Sequence, residues 1–178
     1  MMNIYCAPSL GQKGSPVVYA LLEHAYRIEY GESPPEIKKT PNGKPFFPER
    51  PDVFFSLSHA KTHVACVLSD VPVGVDIESP REVSNRAVRF FCSEEELTLF
   101  EPLELWVLKE SFIKLIGGTV ASVKYLRFSR SNNEIITPEK NVFSGLYYIE
   151  GCTAAVSVLG GTPPGSVELY CGSSDFLI

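Results

Sequence analysis

The run Val73-Gly74-Val75-Asp76-Ile77-Glu78 sets the tightest limit on how this chain folds. Val73, Val75 and Ile77 alternate with Gly74, Asp76 and Glu78, the two-residue period of a strand with one apolar face. That period puts both carboxylates on the opposite face, about 7 Å apart along the strand. Gly74 shares their face, and without a side chain there a bulky neighbour can come close to the backbone. Two acids facing one way repel unless a cation, a basic side chain or a proton compensates. A hard divalent cation such as magnesium, bound by oxygen ligands and retained waters, is the economical solution. For an isolated strand the default is a solvated acidic edge, so the rest of the chain has to decide.

The 178 residues suit one ordinary domain or two small halves sharing a core. A hydrophobic content of 44% and a charged content of 21% are those of a globular chain. The net charge of −5 is unevenly spread: residues 1–70 hold seven Lys/Arg and seven Asp/Glu, and residues 71–178 hold nine and fourteen. No basic stripe exists, so a nucleic-acid partner is not expected. Five scattered cysteines form no Cys-x-x-Cys pair, and the three histidines complete no zinc spacing. Reduced thiols in a cytoplasmic setting fit this pattern. Neither a charged-then-apolar leader nor a membrane-length apolar run is present, so a soluble, cytoplasmic protein with no membrane contact is expected.

In the first part, Met2–Ala7 reads as a strand, and Ser15-Pro16 opens a helix whose apolar residues Val18, Leu21, Leu22, Ala25 and Ile28 recur at helical spacing up to Gly31. His24 falls near that stripe and reads as a core or boundary residue. A short strand over Glu36–Thr40 leads into the turn Pro41-Asn42-Gly43-Lys44-Pro45. Gly43 there would let a phosphate approach the backbone, and Lys44 adds a positive charge. Val53–Ser58 reads as a strand ending in small hydroxyl residues, followed by His59. Ser58 and His59 can hydrogen-bond an anion; as a Ser–His nucleophile pair they fail, because neighbours on a strand point to opposite faces and no acid orients the histidine. His63–Leu68 is a further strand, expected to pair antiparallel with the acidic one through the turn Ser69-Asp70-Val71-Pro72.

Beyond Ser79-Pro80, residues 82–91 read as a helix carrying Arg86 and Arg89, and Ser93 with Glu96 fits a capping box. A longer helix runs from about Leu103 to Ile116 and stops at Gly117-Gly118. At 100° per residue, Leu105, Leu108, Phe112, Leu115 and Ile116 make one apolar arc, widened by Trp106 and Ile113. Glu110 lies at its edge, one turn before Lys114, where a surface ion pair is the ordinary reading. Lys109 falls inside the arc and needs either to snorkel or to meet a buried acid. Strands are expected at Ser122–Ser129, Val142–Ile149, Ala154–Leu159 and Val167–Cys171, with turns at Ser131-Asn132-Asn133 and Gly160–Gly165.

Three motifs follow one another in order. They are Gly43-Lys44-Pro45; Phe55-Ser56-Leu57-Ser58-His59 with Val73–Glu78; and Phe90-Phe91-Cys92-Ser93-Glu94-Glu95 with Trp106-x-x-Lys109-Glu110-x-x-x-Lys114. Together they resemble the signature of the 4'-phosphopantetheinyl transferase superfamily, in its pseudo-dimeric, Sfp-type branch. The resemblance implies an α+β fold of two similar halves, each a helix packed on an antiparallel sheet, with the first half shortened. The halves would be residues 1–69, on the coenzyme A nucleotide side, and 70–178, with the metal and catalytic residues. It implies magnesium-dependent transfer (manganese is an alternative) of the phosphopantetheine arm of coenzyme A to a serine of an apo acyl or peptidyl carrier protein. Adenosine 3',5'-bisphosphate would leave.

By the same resemblance Asp76, Glu78 and Glu110 would hold the metal. Glu110, Lys114 and Asp76 would be catalytic, and Lys44, Ser58, His59 and Lys114 would bind coenzyme A, with Glu95 a further acid nearby. The stretch before Gly43 is short and poor in basic residues, with Lys13, Lys38 and Lys39 the obvious replacements for phosphate contacts. Arg86 and Arg89 are the candidate docking residues for an acidic carrier, and a monomer is expected because both halves lie in one chain. Fatty-acid, polyketide and nonribosomal-peptide carriers are all compatible. A non-catalytic paralogue that binds coenzyme A or a carrier, and a magnesium-dependent phosphohydrolase, are the alternatives.

Overall fold

The computed structural model describes residues 2–9, 11, 14–132, 134–163, 165 and 168–169. The chain opens with β1 (Asn3–Pro8) and α1 (Gly14–Tyr30), continues through the two-residue strands β2 (Lys38–Lys39) and β3 (Pro45–Phe46), and then forms β4 (Phe54–His59), β5 (His63–Ser69) and β6 (Val73–Glu78). Three helices follow, α2 (Asn85–Phe91), α3 (Glu94–Leu97) and α4 (Pro102–Ile116), with a 3-10 segment at Val120–Tyr125. The remaining strands are β7 (Ser129–Ser131), β8 (Glu134–Ile136), β9 (Val142–Ile149), β10 (Cys152–Leu159) and β11 (Glu168–Leu169). Lys13, Asn133 and Cys171 lie outside the described residues. So do parts of the expected loop at Gly160–Gly165 and of the expected strand at Val167–Cys171.

Two larger sheets carry the fold, with strand orders β11-β1-β5-β4 and β6-β10-β9. All their pairings are antiparallel except β1 with β11. Alternation along each strand separates three cores. Tyr5, Ala7, Phe55, Val64, Cys66 and Leu68 pack against Val17, Leu21, Leu22, Ala25 and Tyr26 of α1. The opposite face of that sheet, with Ile4, Cys6, Ala65 and Val67, meets Val73, Val75, Ile77, Ala154, Val156 and Val158 of the other sheet. On that sheet's far side Ala155 and Val142 pack with Leu105, Leu108, Phe112 and Leu115 of α4. The layers therefore run helix, sheet, sheet, helix, consistent with the α+β expectation.

The expected hairpin between His63–Leu68 and the acidic strand does not form. β5 pairs with β1 on one side and β4 on the other, so both its edges are taken. β6 pairs instead with β10, setting Asp76 opposite Ala155 and Gly74 opposite Ser157. The turn at Ser69–Pro72 thus carries the chain from one sheet to the other. The strand expected over Ser122–Ser129 is also replaced, by the 3-10 segment, whose Val123 is buried in the α4 core. The short helix starts later than expected, with Ser84 accepting from the Ala87 amide as its N-cap.

β4 and β6 are neighbours without a ladder. The Val75 amide donates to Ser56 Oγ at 3.0 Å and the Ile77 amide to Ser58 Oγ at 3.3 Å. On the same edge the Val73 carbonyl accepts from Lys44 Nζ at 3.3 Å. The edge of β6 turned away from β10 is thus satisfied by side chains of the first part of the chain, which places Ser58 and Lys44 beside the acidic strand.

Candidate active site

Gly74 is where the site begins. A Cβ on it would lie 2.0 Å from the Ser111 carbonyl oxygen and 2.5 Å from the Leu115 amide nitrogen. The bulky neighbour allowed by the missing side chain is therefore the backbone of α4. Small residues on β10 support the same approach: Ser157 Oγ meets Ser111 Oγ at 2.9 Å, and Ala155 is fully buried beneath the helix. Pressed onto β6 in this way, α4 covers the face that carries Asp76, and Asp76 is only 6% exposed. The solvated-edge reading fails for it.

Lys114, on the last turn of α4, donates to Asp76 Oδ1 at 2.8 Å and to Ser58 Oγ at 2.9 Å, while Ser58 Oγ donates to the same carboxylate oxygen at 2.8 Å. The ion pair of Lys114 is with the strand acid and replaces the i,i+4 surface pair with Glu110 as its ordinary reading. Burial pushes the Asp76 carboxyl above the usual carboxylate range, against the pull of Lys114 and Ser58, and the negative charge of Glu78 adds to the rise. Burial raises Glu110 as well, followed by the charge of Asp76, with Lys114 opposing. The charge of Glu78 raises it further, so both strand acids act on Glu110. Two buried oxygens here, Asp76 Oδ2 and Glu110 Oε1, have no hydrogen-bond partner.

Glu78, at the rim, accepts from the Trp106 indole at 3.0 Å and pairs with Arg81 at 3.1 Å. Neither Trp106 nor Arg81 stood out in the sequence as a partner for this acid. Among the described residues no three His, Cys, Asp or Glu side chains form a ready metal cage. Glu78 is engaged by Arg81 and Trp106. The chemistry of the set still fits a hard cation: orphaned carboxylate oxygens on groups that burial and mutual repulsion disfavour as anions are oxygen donors in need of positive charge.

The basic side of the site is a cavity of about 310 Å³ whose wall includes Lys39, Lys44, His59 and Lys114. Gly43 takes a φ of +84° in the turn before Lys44, a conformation that suits glycine. Lys44 Nζ donates to the Leu115 carbonyl at 2.9 Å as well as to Val73, and burial lowers its pKa. It clips the end of α4 to β6 and also lines the cavity. His59 is exposed at the cavity wall while Ser58 is buried on the other face, as strand alternation requires. A larger open groove of about 850 Å³ along β8 and β9 shares no wall residue with the site.

Lys109 is fully buried, and the acid it meets is Glu96, at 2.9 Å. Glu95, the expected further acid, is exposed at the start of α3. Glu96 accepts from the Ser93 amide on one oxygen and from the Phe128 amide on the other, and Lys109 also donates to the Phe91 carbonyl. The capping box expected from Ser93 and Glu96 is present, and it had already accounted for Glu96, so its second role was hidden.

The acidic strand and the lysine-bearing helix fall within residues 72–155, which match the 4'-phosphopantetheinyl transferase superfamily. The chain is similar to the 4'-phosphopantetheinyl transferase gsp of Aneurinibacillus migulanus, at 34% identity over 54% of this chain and 46% of that one. It is 32% identical to the 4'-phosphopantetheinyl transferase Sfp of Bacillus subtilis (strain 168), over 58% of this chain and 50% of the relative. With the 4'-phosphopantetheinyl transferase psf-1 of Bacillus pumilus it shares 40% over 45% and 39% of the two chains. The resemblance drawn from the motifs therefore holds, and the matched stretch spans about half the length of these relatives or less.

Proposed function

We propose that the protein transfers the 4'-phosphopantetheine arm of coenzyme A to a serine hydroxyl of an apo acyl or peptidyl carrier protein. The observation that carries this reading is the position of Lys114, whose ammonium lies on Asp76 Oδ1 while its side chain forms part of the cavity wall. One cation thus borders both the acidic cluster and a basic hollow of a size suited to part of a nucleotide. In the reaction a bond forms between the serine oxygen and the phosphorus that bears pantetheine. The bond from that phosphorus to the bridging pyrophosphate oxygen breaks, and adenosine 3',5'-bisphosphate leaves. Little covalent chemistry falls to the protein; it has to neutralise charge and hold the nucleophile in line.

Asp76, Glu78 and Glu110 would hold a magnesium ion, which when bound neutralises pyrophosphate charge. Lys114 adds positive charge beside the breaking bond. Glu110, raised above the usual carboxylate range, is suited to take the serine proton. Lys44, Lys39 and His59 supply positive charge or hydrogen bonds for coenzyme A phosphates along the cavity, and Ser58 keeps Asp76 and Lys114 in register. The functional test incubates the protein with coenzyme A, magnesium and apo carriers of several classes, followed by intact mass. A phosphopantetheine adduct on at least one carrier is expected. Bound coenzyme A with no adduct on any carrier supports a binding-only protein instead, and hydrolysis without a carrier supports a phosphohydrolase.

Arg86 and Arg89 are exposed on α2 next to Phe90, itself 48% exposed, and form the proposed docking face for an acidic carrier. Reversing both charges should raise KM for the carrier about tenfold or more at low salt and leave kcat in place. An unchanged KM would remove this face from consideration.

A further inference from the structure

The helix that carries Glu110 and Lys114 is buried over most of its circumference. Leu105, Val107, Leu108, Lys109, Ser111, Phe112, Ile113 and Leu115 are all buried. At 100° per residue they cover an arc of about 240°. Only the strip through Trp106, Glu110 and Lys114 is left for the site. An apolar surface that wide specifies helix rotation weakly, since turning α4 about its axis exchanges one buried aliphatic side chain for another. The directional contacts have to do it, and Lys109 makes the most demanding of them. Its ammonium, wholly out of water, has two acceptors: Glu96 Oε2 at the start of α3 and the Phe91 carbonyl at the end of α2. Glu96 is held in turn by the Ser93 and Phe128 amides. A rotation that removed Lys109 from this socket would leave a buried carboxylate and a buried ammonium apart.

The geometry points to the Glu96–Lys109 pair as a positioning device that sets the rotation of α4, and so aims Glu110 and Lys114 at Asp76. The socket also reaches the other acid. The Phe91 ring, whose carbonyl Lys109 holds, packs edge-on against Trp106 with centroids 5.1 Å apart, and the Trp106 indole donates to Glu78. One buried pair thus sits behind both the strand acid at the rim and the helix acid, without touching either. The catalytic part of this inference rests on the transfer reading given above; the helix-register part does not.

Trp106, the only tryptophan in the chain, reports on the register because it sits on α4 between Phe91 and Glu78. The test is the double variant Glu96→Gln with Lys109→Met, which removes both charges, keeps similar volumes and retains an amide oxygen for one of the two backbone donors. The pair's removal should leave a cooperatively folded protein, because an ion pair of this kind contributes more to uniqueness than to stability. Trp106 emission should shift to the red, and kcat should fall about tenfold or more with KM for coenzyme A within about twofold. Unchanged emission in the folded double variant overturns the inference, and so does an unchanged kcat. If the double variant does not fold, Glu96→Asp, which keeps the charge and withdraws it by one methylene, takes its place with the same two readouts per folded molecule. Wild-type protein run alongside separates the two claims: if it transfers nothing, the functional reading fails, and the emission alone decides the role of the pair.

Discussion

Gly74→Ala tests whether the site exists because a helix can lie directly on the acidic strand. The new methyl group would sit 2.0 Å from the Ser111 carbonyl oxygen, 2.5 Å from the Leu115 amide nitrogen and 3.1 Å from the Leu115 Cα. Ordinary contact begins near 3.4 Å, so the shortest of these falls short by 1.4 Å. All three atoms belong to the α4 backbone, and no rotamer change relieves the overlap. The helix has to lift by something over 1 Å across the face where Ala155, Ser111 and Ser157 pack. Overpacking of this kind costs about 1–3 kcal/mol, and a clash with backbone belongs at the upper end. At about 2–4 °C per kcal/mol in a chain of this size, a fall in Tm of roughly 6–12 °C is expected. The same lift draws Lys114 Nζ from the 2.8 Å it keeps to Asp76, so transfer per folded molecule should drop by about tenfold or more. Thermal unfolding followed by circular dichroism, with the mass assay on the same preparation, reads both. A variant with Tm within about 2 °C of wild type would show that the helix does not rest on Gly74, and the packing argument would fall.

Further outcomes follow from the same geometry. Asp76 and Glu110 bind protons more tightly folded than unfolded, so the metal-free protein should lose stability as pH rises from about 4 through their raised folded values and level off above them. Glu110→Gln should flatten that slope and raise Tm at neutral pH by a few degrees while abolishing transfer; a lowered Tm would contradict the burial assigned to this acid. Ser58→Ala removes one hydroxyl that serves both Asp76 and the Ile77 amide, so unfolding should cost about 1–3 kcal/mol less in denaturant titration, and equal stability would mean the hydroxyl is replaceable. Burial pushes the Cys66 thiol up, and the half-buried Cys92 is pushed up to about 11. Peptide mapping after iodoacetamide at pH 8 should find Cys66 unmodified in the native protein and Cys92 modified far more slowly than free cysteine.

The local patterns were legible, and the contacts between distant segments were less so. Alternation from Val73 to Glu78 gave the strand and its two faces, and Gly117 stops α4 with a φ of +71° as the glycine pair suggests. The need of Lys109 for a buried acid also followed from its place in the apolar arc. Which acid it meets did not follow, because Glu96 already had a local explanation as the second half of a capping box. The false hairpin between β5 and β6 has a similar origin. A short turn between two apolar strands favours local pairing, and only the distant β1 and β10 decide otherwise. Ser56 stood in a motif without a role because its hydroxyl satisfies a backbone amide; its spacing of two from Ser58, on the same face of β4, was the signal for it.

The edge of β6 shows how the first part of the chain reaches the candidate site of the second. An unpaired strand edge is closed in most sheets by another strand. Here Lys44, Ser56 and Ser58 close it, each with one side chain on one backbone group. Ser58 and Lys44 also serve the site, the first through Asp76 and the second through the Leu115 carbonyl at the end of α4. Lys44 faces a choice that a backbone ladder would not: an anion entering the cavity would compete with those carbonyls for its ammonium. Because that ammonium joins β6 to α4, binding in the cavity would be coupled to the spacing of Asp76 from Lys114 through a single side chain. A change at Lys44 should therefore affect the rate as well as the affinity for coenzyme A, whereas a lysine that only held phosphate would change the affinity alone.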